Sequence, residues 1–88
     1  MADNNTQDPT DMRAISLRFV DVYYSLVQRR VVRSRREFCE AVSLHPSSFS
    51  KIESGKINCT MRALCSAMKV YNVRPLWLLM AEGDMFGE

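Results

Sequence analysis

The sequence predicts an all-α domain of five helices, and three observations carry that expectation. From Met12 onward, apolar residues recur at the three-and-four spacing of helices, and no stretch alternates as a half-buried strand would. Capping residues, prolines and glycines interrupt that pattern where helices should begin or end, most plainly at Ser34, Pro46, Gly55, Thr60 and Pro75. A chain of 88 residues, 47% of them hydrophobic, suits one core and leaves no room for a second.

Taken in order, residues 1–11, MADNNTQDPTD, are mostly Asn, Asp, Thr, Gln and Pro without periodic apolar positions, and read as a flexible N-terminal arm before a domain spanning 12–88. A long first helix should run from Met12 or Ala14 to Arg30. It carries one apolar stripe of Val20, Tyr23, Tyr24 and Val27 beside a second of Ile15, Phe19, Val22 and Leu26. That arc is wider than one core contact requires. Either a second copy of the chain or the C-terminal helix and tail should cover the surplus.

Ser34-Arg35-Arg36-Glu37 fits a capping box. The Ser34 hydroxyl is expected to accept from the N–H of Glu37, and the Glu37 carboxylate to reach back to the N–H of Ser34. The short helix opened there turns Phe38, Ala41 and Val42 inward. Ser43-Leu44-His45-Pro46 then reads as a turn, with Pro46 at the first position of a third helix ending at Ser54. In that helix Phe49 and Ile52 face the core, Ser47, Ser48, Ser50 and Lys51 lie outward, and Gly55 closes it. Thr60 caps a fourth helix with a stripe of Met61, Leu64, Cys65 and Met68, completed by Tyr71. Asn72 breaks it, and Pro75 begins a fifth helix bearing Trp77, Leu78 and Met80 that stops before Gly83. The expected core residues are Phe38, Phe49, Ile52, Leu64, Met68 and Trp77. Trp77 could alternatively lie at a dimer contact.

Charge is unevenly distributed. The formal net charge is only +2, yet all 12 Lys and Arg lie between Arg13 and Arg74 against four acids, Asp21, Glu37, Glu40 and Glu53. The middle of the chain therefore carries +8 and each end −3. Five arginines crowd into RRVVRSRR, residues 29–36, which suggests a polyanionic partner. No apolar run approaches the roughly 20 residues of a membrane span, and no basic-then-apolar leader opens the sequence. Cys39, Cys59 and Cys65 are odd in number, lack a C-x-x-C pair and lie in or beside apolar stretches, so they are expected as reduced core thiols in a cytoplasmic protein.

The stretch SRREFCEAVSLHPSSFSKIESGK, residues 34–56, resembles the helix-turn-helix of the phage repressor and Cro family, also called the Xre family. The most specific pieces are I-E-x-G-K at Ile52, Glu53, Gly55 and Lys56, and the W-L-L-x-x-E-G-x-M-F tail from Trp77 to Phe86. The resemblance implies a five-helix lambda-repressor-like domain with its motif at about 34–54. It also implies a bacterial or phage-derived transcriptional regulator, a repressor in the first instance, that binds double-stranded DNA as a homodimer on an inverted repeat. Two departures stand out. Cys39 and Ser43 occupy places where the family has a small Ala and a Gly of positive φ. An Arg of helix 1 that commonly pairs with the residue matching Glu53 is replaced by Gln28, so a hydrogen bond or neighbouring Arg29 should take over.

A helix laid in the major groove reads bases with side chains near its N-terminus, which makes Ser47, Ser50 and Lys51 the candidate readers. Pro46 could touch a thymine methyl but is first of all the helix start. Arg35, Arg36, Ser48, Lys56 and Arg33 are the candidate phosphate contacts, Arg35 because the family often places a phosphate-binding Gln there. His45 invites a metal or nucleophile reading. No metal-ligand spacing joins it to the cysteines and no residue orients it as a base, so capping or a phosphate contact at the turn is expected. No catalytic residue, metal, cofactor, small-molecule ligand or membrane contact is expected, since paired carboxylates, a phosphate-cradling glycine loop and a nucleophile with its base are all lacking. The alternative from another class is a protein-interaction module, such as an antitoxin-like partner using the surplus face of helix 1 and the apolar C-terminus.

Overall fold

A computed structural model describes residues 8–87, and these form five helices. They are α1 (Met12–Gln28), α2 (Arg35–Ala41), α3 (Pro46–Ser54), α4 (Met61–Tyr71) and α5 (Pro75–Met80). Most of the proposed arm, residues 1–7, lies outside the described residues. Residues 8–11 are a turn in which Thr10 donates to the Asp8 carboxylate at 2.9 Å, and Asp11 then caps α1 by accepting from the N–H of Arg13 at 3.0 Å.

The other caps explain the remaining starts. Ser34, His45 and Thr60 accept from the backbone N–H of Glu37, Ser47 and Ala63, each at 3.1 Å, and Pro46 and Pro75 begin α3 and α5. One detail of the capping box differs from expectation. The Glu37 carboxylate accepts from the N–H of Arg33, not of Ser34, at 2.9 Å.

The core forms where α1, α2 and α3 meet. Phe19, Phe38 and Phe49, one from each helix, are fully buried with ring centroids 5.5 to 6.3 Å apart, and Tyr23 packs its ring within 5.3 Å of the latter two. Such tilted and edge-on aromatic pairs add about 0.5–1.5 kcal/mol each beyond area burial. α1 packs against both α3 and α5, and α2 against α3 and α4.

Ile52 and Leu64 are also fully buried, whereas Met68 and Trp77 sit at the rim, half-buried. The buried stripe of α4 is Ala63, Leu64 and Ala67, rotated from the expected one, so Met61 and Cys65 face solvent. Alanines let α4 approach the core closely, and the larger side chains are displaced to its flank. Short α5 buries only Leu78. After Ala81 the chain doubles back, pairing Val73 with Phe86 in an isolated antiparallel bridge and placing the Phe86 ring 4.5 Å from the Arg29 guanidinium. α5 and this tail cover part of the wide apolar arc of α1, while Tyr24 and Val27 remain exposed.

Candidate nucleic-acid interface

α2 and α3 are joined by the four residues Val42 to His45, and the geometry of this turn is set by Ser43 at φ 60°. The N–H of Leu44 returns to the Cys39 carbonyl at 2.8 Å, which bends the chain sharply into α3. Phe49 and Ile52 lock one side of α3 into the core. The opposite side presents Ser47, Ser50 and Lys51, all exposed, at the i, i+3 and i+4 spacing that shares one helical face. Ser48 is half-buried at its edge.

His45 acts as the cap of α3. Its Nδ1 accepts from the Ser47 N–H and lies 2.9 Å from the Ser47 hydroxyl. A backbone N–H can only donate, so Nδ1 is the acceptor.

The candidate phosphate residues divide into two groups. Arg33, Arg36 and Lys56 are exposed. Arg36, its side chain 82% exposed, pairs loosely with Glu40 at 3.6 Å and shares a shallow groove with Glu40, Leu44, His45 and Pro46, next to the N-terminal end of α3. Lys56 is anchored by its backbone, because Gly55 at φ 89° turns the Lys56 N–H onto the Lys51 carbonyl at 2.8 Å, just past the end of α3. Arg35 is arranged differently. Its Nη2 lies 3.2 Å from Glu53 Oε1 and 3.2 Å from the Tyr24 hydroxyl, and its guanidinium stands over the Phe49 and Tyr23 rings at 4.9 and 5.6 Å.

Glu53 therefore takes its partner from α2, the cation Arg35, instead of the expected hydrogen bond from Gln28 or ion pair with Arg29. Tyr24 of α1 donates its hydroxyl to the other Glu53 oxygen, which holds the phenol above its ordinary range. Arg13 completes the hold on this end of α3 by donating to the Ile52 carbonyl at 2.7 Å. The sequence singled out neither Arg13 nor Tyr24 as part of this arrangement. Tyr24 at i+1 from buried Tyr23 was the available signal, since a hydroxyl just off the core face is positioned to reach a neighbouring helix end.

Among the described residues no group of three His, Cys, Asp or Glu side chains could hold a metal ion, and no helix is long and apolar enough to cross a membrane. No family model, curated protein or solved structure matches this chain.

Proposed function

We propose that the chain is a small helix-turn-helix regulator resembling the phage repressor and Cro family, and that it binds double-stranded DNA by laying α3 in the major groove. The observation that carries this reading is the two-sidedness of α3. It is pinned to the core by Phe49 and Ile52 and exposes Ser47, Ser50 and Lys51 on the other side, with the cations Arg33, Arg36 and Lys56 available on neighbouring segments. A helix fixed by one face and polar on the other fits a groove about 12 Å wide, while the cations grip phosphate. One such helix reads only a few base pairs, so the working unit is a homodimer on an inverted repeat, with the two α3 helices about 34 Å apart, and operator occupancy is how it represses.

The test is to retain genomic fragments on the purified protein at near-physiological salt and sequence what stays bound. An enriched inverted repeat supports the reading. Uniform retention that disappears with modest salt overturns it, because that behaviour is phosphate attraction alone.

A second reading, a protein-interaction module of the antitoxin kind, is favoured by one observation. Leu76 and Met80 of α5 stand 56% and 42% exposed at i, i+4 spacing, a short apolar ridge suited to a partner. Capture of a protein partner that survives high salt would favour it, since apolar contact does not weaken with salt as phosphate binding does.

A further inference from the structure

We infer that Arg35, Glu53 and Tyr24 form a latch that fixes the tilt of α3, so that Arg35 and Glu53 determine base specificity as positioning residues without touching DNA. The inference rests on the DNA-reading role proposed above. The three side chains come from three helices, α2, α3 and α1, and converge on the C-terminal end of α3, opposite to the end that presents Ser47.

Leverage makes the latch consequential. α3 has nine residues and is therefore about 13 Å long, and a tilt of about 10° about its pinned end displaces the far end by about 2 Å. That exceeds the distance window of a hydrogen bond. The planar guanidinium is well suited to the task, since it lies against the Phe49 and Tyr23 rings while its edge meets the carboxylate, and lysine could not reproduce both contacts.

The competing role for Arg35 is direct phosphate contact. Two features oppose it. The positive edge faces Glu53, and a phosphate brought to Arg35 would meet that carboxylate's charge as well. Nor is overall stability what the pair chiefly supplies, because both side chains are about one-third exposed, 36% and 34%, and ion pairs in such positions contribute little. Variants should therefore fold, which makes the latch testable.

The experiment compares the full chain with Glu53→Gln, Arg35→Gln and the double variant. Affinity is measured for the duplex enriched in the selection above and for an unrelated duplex of equal length, at one salt concentration and below every variant's unfolding transition. Each single variant should lower the ratio of selected to unrelated affinity about tenfold, leave the unrelated duplex within about twofold, and match the double variant, as members of one unit do. A ratio preserved in all three variants overturns the latch and leaves an ordinary surface ion pair. Equal weakening of both duplexes by Arg35→Gln, with a salt slope reduced by about 1, makes Arg35 a phosphate ligand and also overturns it. If the unaltered chain shows no preference between the duplexes, the DNA-reading proposal itself falls, and the specificity role with it.

A readout without DNA checks the geometry separately. The Tyr24 phenol, identified by its loss in Tyr24→Phe, should titrate above the ordinary tyrosine range and move down in Glu53→Gln. A Tyr24 titration unaffected by Glu53→Gln would overturn the latch whatever the DNA result.

Discussion

The Ser16 hydroxyl accepts from the backbone N–H of Cys59 at 2.8 Å, with Ser16 fully buried and Cys59 nearly so. This bond ties the segment between α3 and α4 to the inner face of α1. It also satisfies Ser16, the one buried side chain that is polar rather than hydrophobic among the described residues. Removing the hydroxyl in Ser16→Ala leaves a buried N–H without its acceptor and should cost about 1–3 kcal/mol, a large share of the stability of so small a domain. Urea denaturation should show the midpoint falling with the slope unchanged, and an unmoved midpoint would mean water replaces the hydroxyl at no cost.

The same corner makes a prediction about thiols. Burial pushes the Cys59 thiol up to about 12 and raises that of Cys39, while Cys65 is exposed on α4. At pH 8 the native protein should react rapidly with a disulfide reagent at one thiol, Cys65, and the other two should follow only on unfolding. The pH dependence has a definite sign. A folded-state pKa above the unfolded value of about 9 means the protonated thiol is favoured by folding, so its contribution is complete below pH 9 and is lost as pH rises from 9 toward 12. Replacing Cys59 with Ala should lower stability at neutral pH and flatten that alkaline decline.

Ser16 also shows where sequence reading stops. All five helices were legible because their ends carry chemistry that acts locally, as in Ser34, Pro46, Gly55, Thr60, Asn72 and Pro75. Phe38, Phe49, Ile52 and Leu64 were legible as core because the period of a helix fixes which side they face. Partnerships distant in sequence were not. Ser16 with Cys59, Arg35 with Glu53 and Val73 with Phe86 depend on how helices are placed against each other, and spacing along one helix does not encode that. The stripe of α4 was misread for a related reason. Periodicity pointed to Met61 and Cys65, which face solvent, and passed over Ala63 and Ala67, but close approach of the helix rewards the smaller residues. For the candidate interface, the outward face of α3 followed from periodicity, whereas the engagement of Arg35 by Glu53 required the packed helices.

Two turn positions should respond oppositely to small substitutions. Ser43 is held at φ 60°, a left-handed conformation costing a residue with a Cβ about 1–2 kcal/mol, which Ser43→Gly removes. Glycine also gains freedom in the unfolded chain worth about 0.4–1 kcal/mol, so the net effect should be a stabilisation of about 0.5 kcal/mol. Gly55 is the reverse case. At φ 89°, an added Cβ would lie 3.3 Å from Arg13 Cζ, and Gly55→Ala should lower the melting temperature by straining the backbone and disturbing the Arg13 bond to Ile52. A melting temperature that falls in Ser43→Gly would show that the serine side chain contributes more than its backbone strain costs.

Lys51 and Lys56 are five residues apart and joined through their backbones, yet they should behave differently on DNA. Lys51 lies on the exposed face of α3 beside Ser47 and Ser50, where an ammonium can donate to the O6 and N7 of guanine. Lys51→Ala should cost about 1–3 kcal/mol on the selected duplex and make binding indifferent to the base at one position of each half-site. Lys56 follows the turn at Gly55, beyond the proposed reading face, and is the proposed phosphate contact there. Its replacement by Ala should weaken selected and unrelated duplexes equally and reduce the salt slope by about 1 per protomer. The two substitutions leave intact the hydrogen bond between the Lys56 N–H and the Lys51 carbonyl, so neither outcome can be attributed to a disrupted helix end. Titrations of both duplexes at several salt concentrations separate the roles, and a uniform loss for Lys51→Ala would remove it from the reading face.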